Sequence, residues 1–403
     1  MHTLRGLLSP GFSFPGTLAL PQTTAIAGCR PWSATINPSP PQSPNTHFLG
    51  VVAASANDVW AVGLTVQPPD NNAPALTLIE HWDGQNWQII ESPNPNPEGD
   101  NALFSVAAVG TNDIWAVGFS GATPGARGFS LGQTLIEHWD GARWQVIPSP
   151  NQGSVINSLS AVAVVGADDI WAAGLSGESS SGPFSTLIQH WDGKTWQIVP
   201  SPNPEPNSVI GGLAVVSASD IWAVGTSSPS FNTGPFHTLI QHWDGKTWQV
   251  VPSPNPASVI NELVSVVAIS AHDVWAVGLA ADTFFQFTTT LIEHWDGRRW
   301  RVVASPNPGW AVNSLLAVTA VSARDLWAVG GYANNLSSTV LPYQTLVAHW
   351  NGRSWQTVPS QSPGELASLL RGITPIPGTR TLWAVGDMVD TSLVPQPISE
   401  FSC

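Results

Sequence analysis

Asp58-Val-Trp60-Ala-Val-Gly63 returns along the chain as Asp113-Ile-Trp115-Ala-Val-Gly118, Asp169-Ile-Trp171-Ala-Ala-Gly174, Asp220-Ile-Trp222-Ala-Val-Gly225, Asp273-Val-Trp275-Ala-Val-Gly278, Asp325-Leu-Trp327-Ala-Val-Gly330 and Thr381-Leu-Trp383-Ala-Val-Gly386. Trp60 and Trp115 are 55 residues apart and Trp171 and Trp222 are 51, so one supersecondary unit repeats about every fifty residues. A second phrase follows each of the first six: Thr77-Leu-Ile-Glu-His81-Trp82-Asp83-Gly84 and then Trp87, with counterparts around Trp139, Trp191, Trp243, Trp295 and Trp350. Apolar and polar residues alternate up to the tryptophan. Asp-Gly, or Asn351-Gly352 in the sixth unit, supplies a tight turn, and a strand such as Trp87-Gln-Ile-Ile90 leaves it, which reads as a hairpin. An apolar run such as Ser105–Val109 or Ser265–Ile269 precedes each Trp-Ala-Val-Gly phrase. Each unit therefore has four strands, a to d from the inside outward.

Strands a and b are almost wholly apolar, as strands buried on both faces are, whereas c alternates and d ends polar. One such sheet cannot bury its own faces. Stacking sheets around an axis does so, with the repeated tryptophans as wedges of about 200 Å² each. The expected fold is all-β: residues 29–403 form a single seven-bladed β-propeller of four-stranded antiparallel blades. Blades are expected at 48–94, 103–151, 159–203, 211–255, 263–307 and 315–360, with the seventh split between 367–403 and an outer strand at 29–39. The last unit stops after its strand c, Ile398-Ser-Glu-Phe401, while Trp32-Ser-Ala-Thr-Ile-Asn-Pro-Ser-Pro40 reads like the strand d of the third unit, Trp196-Gln-Ile-Val-Pro-Ser-Pro202. An N-terminal strand completing the last blade would close the ring and hide both sheet edges.

The phrases resemble kelch-type propellers, in which a strand ending in glycines is followed by a hairpin with spaced aromatics, and the resemblance covers nearly the whole chain. Only Gly330-Gly331 keeps a glycine pair, and Trp82 and Trp87 are more closely spaced than the kelch Tyr and Trp. The turn Asp244-Gly-Lys-Thr-Trp248 also resembles the Asp-box of sialidase-type propellers, without a residue between Asp and Gly and with His242 where serine is usual. Both resemblances imply a propeller, a fold that hosts enzymes, lectin-like binders and scaffolds.

A formal charge of −14 over 403 residues, with Lys194 and Lys246 the only lysines, excludes nucleic acid, whose phosphates need clustered cations. The densest basic group, Arg298, Arg299 and Arg301, falls on a turn and an outer strand and reads as a solvated edge. No apolar run is long enough for a transmembrane segment. Residues 1–28 stand outside the repeat: Arg5 precedes an apolar stretch from Leu7 to Leu20, interrupted by Pro10 and Pro15, and Ala25-Ile-Ala-Gly-Cys29 follows. The segment reads as an export leader, which would make the protein secreted or cell-surface, or as a disordered tail.

Six histidines recur at one repeat position: His81, His138, His190, His242, His294 and His349. Metal ligands converge, and these are spread around the repeat, so each is expected to hydrogen-bond an Asp58-type carboxylate instead. No zinc spacing, phosphate loop or nucleophile elbow occurs, and neither metal nor cofactor is implied. Of 21 tryptophans only Trp310 lies outside the repeat positions, which makes it a candidate for ligand stacking. A sialidase-like reaction would need a tyrosine nucleophile, an arginine cluster and an acid, and the only tyrosines are Tyr332 and Tyr343, both in one loop. A glycosidase pair of carboxylates would have to come from Asp70, Asp100, Glu178, Asp282, Asp387 and Asp390, which lie outside the repeat phrases.

In a four-stranded blade the b–c and d–a connections share one face. The a–b and c–d turns are short and nearly constant here, while the b–c loops vary in length and wording, as a binding surface does in a repeat protein. Those loops carry aromatics that strands do not need: Phe129, Phe184, Phe231, Phe236, Phe284, Phe285, Phe287, Tyr332 and Tyr343. The expected function is non-enzymatic recognition of a glycan or protein by a monomer. The candidate contacts are Trp310, Phe284, Phe285, Phe287, Phe231, Phe236, Tyr332 and Tyr343. The alternative is a glycoside hydrolase or lyase acting on extracellular polysaccharide.

Aligning Phe401 with Trp82 puts Cys403 at the turn glycine, and aligning Trp32 with Trp87 puts Cys29 at the same point. A Cys29–Cys403 disulfide would tie the ring shut and contribute about 5 kcal/mol in the chain-entropy model for so long a loop. Ile26-Ala-Gly-Cys29 also resembles the lipobox of bacterial lipoproteins, in which the cysteine is acylated after leader removal. Peptide mapping by mass spectrometry without reductant separates the two. A cross-linked Cys29–Cys403 peptide is expected, and an acylated Cys29 beside a free Cys403 thiol would rule out the bridge.

Overall fold

The computed structural model describes residues 32–41, 43, 45–66, 73–121, 132–284, 287–336 and 342–402. Residues 1–28, Cys29, Cys403, Asp70, Phe129 and Phe285 lie outside the described residues. Among the described residues all regular structure is strand, and no helix is long and apolar enough to cross a membrane. The chain begins with β1 (Ser33–Ile36) and continues with β2 (Asn45–Ser55), β3 (Asp58–Val66), β4 (Ala75–Trp82) and β5 (Trp87–Ile90). The second unit is β6 (Asn101–Gly110), β7 (Asp113–Gly121), β8 (Gly132–Trp139) and β9 (Trp144–Val146). The third is β10 (Ile156–Gly166), β11 (Asp169–Gly177), β12 (Phe184–Trp191) and β13 (Trp196–Ile198). The fourth is β14 (Asn207–Ser217), β15 (Asp220–Ser228), β16 (His237–Trp243) and β17 (Trp248–Val250). The fifth is β18 (Ile260–Ser270), β19 (Asp273–Ala281), β20 (Thr289–Trp295) and β21 (Trp300–Val302). The sixth is β22 (Val312–Ser322), β23 (Asp325–Ala333), β24 (Gln344–Trp350) and β25 (Trp355–Val358). Last come β26 (Ala367–Pro375), β27 (Leu382–Val389) and β28 (Pro395–Ser402).

Each unit is a four-stranded antiparallel meander, and the second and third are counted as one sheet because Ile156 meets Gly132 in a single parallel bridge. β1 lies beside β28, with Ser33 opposite Phe401 and Ile36 opposite Ile398, so the N-terminal strand is the outer strand of the C-terminal sheet. The register at this end differs from the aromatic-by-aromatic alignment. Phe401 pairs with Trp383 as His81 pairs with Trp60, and Ser402 takes the place of Trp82. Pairing is counted from the repeat glycine, and the last unit carries its aromatic in the histidine position.

Tryptophans join one unit to the next. Trp60 donates Nε1–H to Asp58 Oδ1 at 2.7 Å, His81 Nε2 lies 2.8 Å from the same oxygen, and the His81 ring lies against the Trp60 indole at 4.3 Å. The expected histidine–aspartate bond recurs at 2.8 Å in all six units that carry the histidine. So anchored, Trp60 packs between Trp139 at 4.9 Å and Trp144 at 5.4 Å of the next unit. Trp327 meets Trp32 in the same way, and Trp383 meets Trp82 and Trp87 of the first unit.

The repeat glycine has its own cause. Each inner strand bulges where it passes that glycine: Phe48 pairs with Gly63 and Gly50 with Val62, leaving Leu49 unpaired. The same slip leaves out Phe104, Ser160, Gly211, Val264, Leu316 and Arg371. A methyl group on Gly63 would collide with the His47 carbonyl, and one on Gly386 with that of Leu369. Only glycine permits this approach.

A buried carboxylate or amide precedes the histidine position on the third strand in six of the seven units, with Ala348 in its place in the sixth. Gln189 donates to the Pro150 carbonyl at 2.8 Å and Gln241 to that of Pro202 at 2.9 Å, each in the preceding unit. Glu293 holds the same position, is fully buried, and neither of its carboxyl oxygens has a hydrogen-bond partner. Burial pushes its pKa from 4.5 up to about 8. Between those values the unfolded chain is ionised and the folded one is not, so stability falls as pH rises through the window. Glu293→Gln is expected to stabilise the protein by on the order of 1–3 kcal/mol at pH 8 and much less at pH 5. Thermal melts at the two pH values measure this, and an equal effect at both would contradict it.

Candidate functional site

The residues at the seven bulges all line one cavity of about 1090 Å³, six with a side chain and Gly211 with backbone alone. Ala73, Ala75, Leu393 and Pro395 from b–c segments and Asp100 from a d–a segment also line it, so it reaches the face where those connections emerge. Its walls are largely apolar, with Val51, Val106, Val162, Val266 and Val318 deeper along the inner strands. Phe104, a bulge residue, stacks on Phe119 at 5.7 Å and 20° on the same wall.

One corner breaks the repeat. The bulge residue is uncharged in six units and is Arg371 in the last. The residue after the repeat glycine is Leu64, Phe119, Leu175, Thr226, Leu279 and Gly331, and then Asp387. Adjacent strands bring these two together, with Arg371 Nε 2.5 Å from Asp387 Oδ1. The first unit supplies His47, whose Nδ1 lies 3.3 Å from the same oxygen and whose Nε2 lies 3.1 Å from Asn45 Oδ1. Tyr343 stands close by, its hydroxyl pKa raised by burial against the opposing charge of Arg371. Burial alone would push the Asp387 carboxyl up. The hydrogen bond from His47 and the charge of Arg371 outweigh it and hold the group below its ordinary 3.8.

None of the described aromatic candidates is on the lining of this cavity. Trp310 lies on the d–a turn of the fifth unit, 67% exposed, and its N–H donates to Asn334 Oδ1 at 3.0 Å. Phe287, 52% exposed and at a φ of 56°, approaches it with ring centroids 6.1 Å apart. Phe231, Phe236 and Phe284 form an edge-to-face row with Phe184, which is itself fully buried against Ile156 and Leu175. Tyr332 donates to Gln344 within its own unit. Among the carboxylates, Glu178 and Asp282 clip their own d–a loops through Ser154 and Ser258, and Asp390 accepts from Ser392. Asp100 lines the cavity and accepts from the Ala75 N–H at 2.8 Å. Among the described residues no three His, Cys, Asp or Glu side chains form a metal cluster. Arg371 and His47 were missed by motif reading, and comparing residues at equal repeat positions is the signal that finds them.

No family model matches the chain, and no curated protein matches it. Among solved structures it is similar to YCF48 bound to D1 peptide, with a TM-score of 0.53 at 15% identity over 92% of this chain and 94% of that one. It is also similar to the phage phi92 endosialidase, with a TM-score of 0.54 at 10% identity over 92% of this chain and 68% of that one. At these identities the likeness carries the fold alone. Together with the four-stranded sheets it identifies a β-propeller.

Asp387→Asn removes the charge that holds Arg371 and is expected to cost about 1–3 kcal/mol at pH 7. The cost stays below that of a fully buried pair because the Arg371 side chain is 31% exposed. A carboxyl with a depressed folded-state pKa stabilises above its unfolded value and loses that contribution as pH falls through the folded one. The gap between wild type and variant should therefore shrink below pH 3.8, and denaturant melts showing a constant gap down to about pH 2 would contradict the assignment.

Proposed function

We propose that the chain is an exported, non-catalytic binding propeller of seven blades closed in a ring, which takes a glycan or protein ligand on its b–c loop face with an anchor in the central cavity. Ring closure is supported by β26 neighbouring β2 and by Trp383 packing against Trp82 and Trp87. The observation that carries the binding reading is that Arg371 and His47, both held by Asp387, stand on the lining of a cavity whose walls are otherwise largely apolar. Polar groups that converge in a large apolar pocket orient a ligand.

A glycosidase acid must hold its proton at working pH, which needs a raised pKa. Asp387 is lowered. The carboxyls raised to about 8, those of Glu80, Glu137, Glu293 and Glu400, sit on third strands away from the cavity lining. The hydrolase alternative draws on Arg371 standing beside Tyr343 and on the fold likeness to an endosialidase. The peptide in the YCF48 complex favours a protein ligand equally from fold alone. Against a sialidase-like clamp, the other arginines among the described residues lie on a–b or c–d turns or an outer strand.

The corner can be erased without a cavity. Arg371→Leu with Asp387→Leu restores the residues of the first unit, Leu49 and Leu64. In glycan-array and pull-down experiments the wild type is expected to retain a ligand that this double variant and a version with shortened b–c loops both lose. Equal retention by all three would sink the reading, and turnover of a glycoside substrate by the wild type would transfer it to the hydrolase.

A further inference from the structure

Resting on that binding reading, we infer that the anchor in the central cavity is a neutral sugar residue. Charge comes first. Arg371, which is on the lining, is neutralised by Asp387 at 2.5 Å, and the carboxylate on the lining itself is Asp100. An anionic ligand would bring a charge for which no free cation waits among the described lining residues, inside walls that are largely apolar. The net −14 of the chain works against an anion as well.

Hydrogen-bonding capacity comes second. Both contacts of Asp387 use Oδ1, and Arg371 engages it through Nε. Asp387 Oδ2 and the two terminal nitrogens of Arg371 have no partner among the described residues. Arg371, fixed by Asp387, thus brings donors to the lining, and the Asp100 carboxylate and the Ser158 and Ser160 hydroxyls supply acceptors there. Neighbouring sugar hydroxyls each donate and accept, so they match such an edge, and bonds to charged groups are the stronger kind.

Shape comes third. The stacked Phe104 and Phe119 rings offer an apolar surface in the same cavity, and Ser158 and Ser160 add uncharged hydroxyls to the lining. A pyranose has an apolar C–H face and a polar edge, which suits a wall of that composition. At about 1090 Å³ the space stands at the upper end of small-ligand pockets, enough for a chain end rather than a lone ring.

Isothermal titration of the full chain tests this with cellotriose, mannotriose and galactotriose as neutral probes, trigalacturonate as the anion, and an alanine–glycine hexapeptide. At least one neutral trisaccharide is expected to bind. Arg371→Leu with Asp387→Leu should weaken it by about tenfold or more, and Phe104→Ser, which installs the residue of the third unit, by several-fold. Arg371→Lys should keep the melting temperature and still lose affinity, because an ammonium cannot span Asp387 and the ligand together. Tighter binding of trigalacturonate or of the hexapeptide, lost in the double variant, overturns the sugar assignment and leaves the cavity reading standing. Neutral binding that the double variant leaves unchanged overturns both. Silence from all three neutral probes up to about 10 mM, where a weak site still registers, overturns the sugar assignment alone if pull-downs with the wild type still retain an Arg371-dependent ligand.

Discussion

An indole too large for its own sheet to bury organises this molecule. Five of the seven repeat tryptophans donate Nε1–H to their aspartate and six lie flat against their histidine, so the far side of the indole is left for the next unit to cover. Trp60 finds that cover between Trp139 and Trp144. Burial of about 200 Å² at about 25 cal/mol per Å² amounts to some 5 kcal/mol before entropy is counted, which is comparable with the net stability of a whole domain. A unit without a successor would forfeit it. The chain ends obey the same demand: Trp327 is covered by Trp32 from the N-terminus, and Trp383 by Trp82 and Trp87 of the first unit.

The inner strands share in the packing between units, as Leu103 and Val106 or Leu263 and Val266 do, yet each spares one residue for something else. The repeat glycine lets each inner strand bulge inward, and the bulge turns one residue per unit toward the cavity, with a side chain in every unit but that of Gly211. A bulge re-aims a residue at no cost to the rest of the ladder. Six units fill that position with an uncharged residue, while the seventh uses Arg371. Its countercharge, Asp387, stands on the adjacent strand immediately after the glycine, so one local geometry supplies both halves of the pair. The site is thus an exception written into a frame that repetition keeps rigid.

Much of the frame was legible in the sequence. Period, hairpin turns, the histidine–aspartate bond and the N-terminal strand beside β28 all follow from patterns of residues that recur. The C-terminal register did not. Matching Phe401 to Trp82 by aromatic character placed it one residue off, because the last unit has no histidine and its phenylalanine takes that partner position against Trp383. The cavity residues were hidden for a different reason. A bulge adds one residue to one strand, so simple alternation assigns Arg371 to a face it does not occupy, and no single copy of the repeat reveals it. Phe184 misled in the opposite way: an aromatic at the edge of a variable loop, it closes a small core with Ile156 and Leu175 instead of meeting solvent.

The carboxylates sort themselves by environment rather than by sequence. Glu80, Glu137, Glu293 and Glu400 are enclosed with few or no donors, and burial carries each to about 8, so at neutral pH they act as uncharged spacers between sheets. Asp387 is nearly as enclosed, yet Arg371 and His47 reverse the sign of its shift. A group held ionised by two fixed partners exchanges protons poorly at neutral pH and accepts hydrogen bonds well. Burial keeps the glutamates uncharged, whereas its fixed partners keep Asp387 ionised, and that charge holds Arg371 and His47 on the cavity lining.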